Sequence, residues 1–146
     1  PYHREAFARK VQVGGFAVAE DWVDCVLGPD IVSPDRYETE GRAMTARLFE
    51  QCNGRLPEGL IIKDDMLARG VCTELENRGV VVGRDIKILS QANADCDVLQ
   101  DWEDRLFLIE FDSSQIVEAM FSELESLMEQ PNDPRPPVAV RGRLKV

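Results

Sequence analysis

The stretch Leu56–Ser90, LPEGLIIKDDMLARGVCTELENRGVVVGRDIKILS, decides how this chain folds. It opens on a short apolar run, Leu60–Ile62, followed closely by two acids, Asp64 and Asp65. Leu67, Val71 and Leu75 then recur at intervals of four, the spacing of one helical face. Gly79 stands where a helix that ends on a left-handed residue needs it. Beyond VVVGRD a second apolar run, IKILS, begins at Ile86. This is a strand–helix–strand unit. Asp65 is expected to cap its helix, since a carboxylate there accepts orphan N–H groups and meets the positive end of the dipole.

Outward from this unit the same alternation continues. LFLIEF, residues 106–111, reads as another strand, apolar enough to be buried on both faces as parallel strands are. Asp112, with Gln115 three residues on, predicts a capped start for a long helix over 113–130. Ile116, Val117, Met120, Phe121, Leu124, Leu127 and Met128 form its apolar stripe, with Glu118, Glu123 and Glu125 off it. PNDPRPP breaks the chain, and VAVRGRLKV reads as a final strand. Upstream, YHREAFARKVQV (residues 2–13) predicts a helix stopped by Gly14–Gly15, and a second helix runs from about Thr39 to Cys52 before Asn53–Gly54. Residues 16–36 fit a strand or a short amphipathic turn equally well. Helices alternating with short apolar strands give an α/β fold, three-layer α/β/α, with a mainly parallel sheet.

Composition narrows the function. The chain has 146 residues, a net charge of −10 and a pI near 4.6. Because duplex DNA is a dense line of phosphates, so acidic a chain is not expected to bind nucleic acid by itself. No apolar run approaches the ~18 residues a membrane span needs. Cys25, Cys52, Cys72 and Cys96 form no CxxC pair and His3 is the sole histidine, which argues against a structural zinc site and favours reduced cysteines. Neither a nucleophile–base pair nor a cofactor motif is legible, so neither an enzyme nor a cofactor is expected. Pro1 rather than Met opens the chain, as expected of a cut or processed piece.

In open α/β sheets the ligand crevice lies beyond the carboxyl ends of the strands. Asp64 and Asp65 follow one strand and Gln91–Asn93 follow another, so Asp64, Asp65 and Asn93 are candidate ligand contacts. Short Asp and Asn side chains suit hydroxyl-rich ligands because they accept or donate in defined directions. Tyr37 is a candidate ring for stacking on a sugar face. The acidic run Asp95, Asp97, Asp101, Glu103, Asp104 lacks the spacing of a calcium loop and reads as a solvated loop.

Taken in order, these pieces resemble the C-terminal half of the effector domain of lactose-repressor (LacI) family transcription regulators. The family pattern Pro-x-Ala, apolar strand, Asp-x-x-Ala-x-Gly, helix, Gly, Asp-Ile and strand is met in register by Asp65, Ala68, Gly70, Leu75, Gly79, Asp85 and Ile86. HREAFARKV is similar to the family's Arg-x-x-Gly-Phe-x-x-Ala helix, and FLIEFDSSQIVEAMFSELESLM with VAVRGRLKV to its closing elements. With Phe7 anchored, His3 takes the place of the family's arginine, and the family's effector-contacting Asp falls at Ala92 or Asn93. The resemblance makes His3 a further ligand candidate.

The resemblance implies a fold like the type I periplasmic binding proteins, in which two lobes close over a small ligand. Residues 1–112 would be the C-terminal lobe, 113–130 a helix crossing to an N-terminal lobe outside this chain, and 131–146 a linker and final strand. The implied function is the effector-sensing and dimerisation part of a cytoplasmic regulator of a sugar-like ligand. DNA would be met only through a separate helix-turn-helix headpiece. A periplasmic sugar-binding protein of the same fold is the alternative. Leu67, Val71, Leu75 and Phe107 match the family's dimer elements, although each would serve equally in a core, the preferred reading for Leu75. Without a partner for the 113–130 stripe, the chain is expected to self-associate, as a homodimer or a swapped oligomer.

Overall fold

In a computed structural model the chain is described over residues 2–15, 34–52, 56–131 and 136–146, with side chains for all of these except 2–4 and 34. It divides into two compact units, Pro1–Val32 and Ser33–Val146. In the first, helix α1 spans Tyr2–Val13 and stops where expected, with the Gly14 and Gly15 amides donating to Lys10 O and Gln12 O. The undecided segment 16–33 lies outside the described residues.

The second unit runs α2 (Pro34–Gln51), β1 (Gly59–Ile62), α3 (Asp65–Asn77), β2 (Lys87–Asn93), a 3-10 segment (Asp97–Arg105), β3 (Phe107–Phe111), α4 (Ser113–Glu129) and β4 (Arg143–Lys145). The strands form one sheet in the order β1-β2-β3-β4, parallel from β1 to β3 and antiparallel between β3 and β4. The mainly parallel α/β fold is therefore present. Pro34 opens α2 at a first-turn position, where its missing N–H costs nothing.

Helix α3 is pinned at both ends. Its cap is Asp64, not Asp65: the Leu67 amide donates to Asp64 Oδ1 at 3.0 Å. Capping requires an extended backbone at the residue before the first turn, and Asp64 has it (φ −134°, ψ 136°). At the far end Gly79 adopts φ 79°, its amide donating to Glu76 O while the Val80 amide reaches back to Leu75 O, the paired bonds of a Schellman stop.

The core lies between α3 and one face of the sheet. Ala68, Cys72 and Leu75 of α3 are fully enclosed against Ile86, Ile88 and Val82. Val71 joins them at 7% exposure, whereas Leu67 is only half-buried, so the buried stripe keeps Val71 and Leu75 of the expected one and adds Ala68 and Cys72. Leu75 and Val71 thus stand in the core of this unit, the reading preferred for Leu75. Phe107 is half-buried. β3 is buried on one face only: Leu108 is covered, while Phe107, Ile109 and Phe111 stay partly open. In this unit α3 packs on β1 and β2, with α2 packed against α3.

Contact between α2 and α3 is backbone on backbone. A Cβ at Gly70 would stand 2.1 Å from Glu38 O, and one at Gly41 would stand 2.3 Å from Leu67 O. These two glycines allow the close approach, and Glu38 bonds Arg42 on its own helix and pairs with Arg69 across it. The final strand is shorter than VAVRGRLKV suggested, because only Arg143–Lys145 pair with β3.

We expect Gly70→Ala to destabilise the fold by about 3 kcal/mol, since backbone must move to admit the methyl. Gly79→Ala, where nothing lies within 4 Å, should cost only about 1–2 kcal/mol from left-handed strain. Urea denaturation of both variants measures the difference; equal losses would contradict the close-contact account.

Candidate ligand site

The sheet's parallel strands end together. β1 runs out at Ile62 and leads through Lys63 to Asp64, while β2 ends at Asn93, whose Cα partner on β3 is Phe111. The Ala94 amide donates to Phe111 O, and Asp95 turns the chain at φ 62°, a left-handed conformation that Asp tolerates better than most residues. A cavity of about 350 Å3 opens at this edge. Asp65, Ala92, Asn93, Asp95 and Asp97, from the strand ends and the segments that follow them, line it together with Glu103, Glu110, Arg143 and Lys145. Its volume falls in the range that takes one small ligand.

The two adjacent acids part company here. Asp64 is spent on the α3 cap and is not among the residues that line this cavity. Asp65 does line it. One carboxylate oxygen of Asp65 accepts the Met66 amide at 2.8 Å, and the nearby Asn93 backbone amide favours its charged form. The structure therefore brings Asp65 and Asn93, which sequence reasoning put in one crevice, to the same cavity. Burial, and then the neighbouring Asp64 charge, raise the Asp65 carboxyl above its ordinary range. Tyr37 sits half-buried in the first turn of α2 and does not line this cavity. The side chain of His3 lies outside the described residues.

Sequence reasoning missed the part of the lining supplied by the 3-10 segment and β4. The acidic run after Asn93 is not a free loop but the 3-10 segment, with Leu99 and Trp102 buried in the core at 3% and 7% exposure. Their spacing of three, the repeat of a 3-10 helix, was the available signal. Anchored by them, Asp97 and Glu103 face the cavity. Lys145 on β4, itself in the lining, pairs with Glu103 and with Glu110 of β3, the latter at 3.5 Å. No group of three or more His, Cys, Asp or Glu converges in a way that could hold a metal ion among the described residues. Burial and the nearby Glu76 push the Cys72 thiol up to about 12, so it is a core residue without a reactive thiolate.

A family model described as a periplasmic binding protein-like domain matches residues 17–146. The chain belongs to this family. No curated protein sequence matches it. Among solved structures, a complex of the transcriptional regulator CelR with cellobiose is similar at TM-score 0.72 and 14% identity, over 96% of this chain and 39% of that one. The transcription regulator CcpA of Lactococcus lactis aligns at TM-score 0.67 and 16% identity, over 96% and 46%. A LacI family regulator from Lactobacillus casei with bound sucrose aligns at 0.60 and 20%, over 97% and 48%. The chain thus spans less than half of each of these proteins, and at such identities the likeness establishes the fold. As a periplasmic binding protein-like domain, it carries its cavity at the carboxyl ends of the parallel strands, where ligands of open α/β sheets bind.

A raised carboxyl pKa means the folded chain holds the Asp65 proton more firmly than the unfolded chain does. Ionised Asp65 therefore costs stability at neutral pH, and the cost disappears as pH falls through the raised value. Asp65→Asn should raise the melting temperature of the unliganded chain at pH 7 and leave it nearly unchanged near pH ~3, below the ordinary Asp range. A lower melting temperature for Asp65→Asn at pH 7 would contradict this assignment.

Proposed function

We propose that this periplasmic binding protein-like domain is the effector-sensing part of a LacI-type transcription regulator. The observation that carries the reading is the cavity at the strand ends with Asp65 and Asn93 in its lining. Short oxygen and amide groups held by the backbone suit the hydroxyls of a sugar-like ligand. The three solved structures compared above are described as regulators, two of them with cellobiose or sucrose, which favours a regulator over a transport protein. In this reading the chain is not an enzyme, works in the cytoplasm and needs no cofactor. DNA is met through a headpiece elsewhere, consistent with a chain of net charge −10. Ligand binding would change the relation of this domain to its surroundings by a coupling of about 1–3 kcal/mol.

The same reading gives α4 a role. Val117, Met120, Phe121, Leu124, Leu127 and Met128 are 47–76% exposed, and among the described residues none of these is enclosed. Covering one large apolar side chain is worth about 1.5–3 kcal/mol, so this stripe is built to be covered. In a regulator it crosses to the N-terminal lobe. In the chain taken alone it drives self-association, with Leu67 and Phe107 as further dimer contacts.

In a thermal-shift panel of mono- and disaccharides, a true effector at 100 times its Kd should stabilise the chain by about 2.7 kcal/mol. Asp65→Ala and Asn93→Ala should each abolish the shift while leaving the circular dichroism spectrum intact. A hit that survives both substitutions would move the site elsewhere.

For α4, sizing with light scattering should show oligomers that the double variant Phe121→Glu, Leu124→Glu converts to monomer. A wild-type chain that stays monomeric at high concentration would rule out self-association through this helix.

A further inference from the structure

We infer that the cavity selects among hydroxylated ligands by charge, favouring one that carries a protonated amine and rejecting one that carries a phosphate or carboxylate. This rests on reading the cavity as the effector site. Five carboxylates line it against two cations, Arg143 and Lys145. Lys145 is already committed, bridging Glu103 of the 3-10 segment and Glu110 of β3. With Glu103 and Glu110 paired to Lys145, the remaining charged residues of the lining are Asp65, Asp95 and Asp97 against Arg143.

The positions of these acids are set by the backbone. Asp65 is held at the start of α3 by the cap that Asp64 makes, and its carboxylate accepts the Met66 amide. Asp95 is held in a left-handed turn just past β2, and Asp97 begins the 3-10 segment that Leu99 and Trp102 anchor in the core. A ligand phosphate brought to these acids would be desolvated beside like charge. An ammonium would find a half-buried carboxylate already disfavoured in its ionised form by burial and by Asp64. Charge-assisted hydrogen bonds are roughly twice as strong as neutral ones, so the preference over an uncharged hydroxyl should be measurable.

The test is a set of matched probes in three charge classes: glucose, galactose and mannose, their 2-amino counterparts, and their 6-phosphates. Calorimetry at pH 7 on the chain should show amino sugars binding about tenfold tighter than the neutral sugar of the same stereochemistry, with no measurable binding of the phosphates. Asp65→Asn should collapse the amino-over-neutral preference to about unity while neutral-sugar binding persists. Glu125→Gln, a charge change on the exposed side of α4, should leave the preference as it is. Phosphates binding as well as neutral sugars, or amino sugars no better than neutral ones, would overturn the inference while leaving the effector reading intact. Failure of every class to bind would overturn the effector reading and this inference with it.

Discussion

The bond from the Leu67 amide to the Asp64 carboxylate decides where α3 begins, and most of what matters in this domain follows from that start. With the cap at Asp64, the first turn places Asp65 against the end of β2, and the helix presents Ala68, Val71, Cys72 and Leu75 to the sheet. Shift the cap by one residue and the apolar face turns by about 100°. The buried stripe and the cavity wall would then be lost together. The Schellman stop at Gly79 fixes the other end, so the helix has a defined length as well as a defined rotation.

The packing around this helix explains why the site lies at an edge of the sheet. The Gly41–Gly70 contact pulls α2 onto the outer side of α3, and α3 in turn covers β1 and β2. The 3-10 segment extends that cover toward β3 with Leu99 and Trp102 and makes its own contacts with α3, among them the Arg105–Glu76 ion pair. Between the helix start, the 3-10 segment and the short antiparallel β4 a gap remains, with the Lys145 ion pairs in its lining. The gap exists because the parallel strands stop together while the connections that follow them diverge. In a periplasmic binding protein-like domain this is the open end of the sheet, where a small molecule can meet several backbone-held side chains at once.

The helix α4 stands in contrast to α3. Both have an apolar face written in the sequence, yet only α3 has it buried. Its Asp112 cap is well made, with the Ser114 and Gln115 amides donating to Oδ1 and the Gln115 side chain returning to the same carboxylate. Local capping is therefore satisfied while tertiary burial is not. A helix can be specified completely by its own residues and still depend on surfaces beyond them for its stability.

Residues near one another in sequence determined much of this protein. The strand runs, α3 and α4 with their stops, the mainly parallel sheet, and the meeting of Asp65 with Asn93 were all legible, because periodicity, caps and the carboxyl-end rule act over a few residues or follow from topology. Tertiary structure decided the rest. Which of two adjacent acids caps and which faces the cavity depends on backbone torsions set by the strand that feeds the helix. Whether Leu75 and Val71 are core or surface depends on which side of α3 the sheet covers. The part of the cavity lining that Glu103 and Lys145 supply, 42 residues apart, depends on contacts between segments that share no local pattern. Spacing along the chain records what a residue's neighbours demand; only the packed sheet records which distant residues meet.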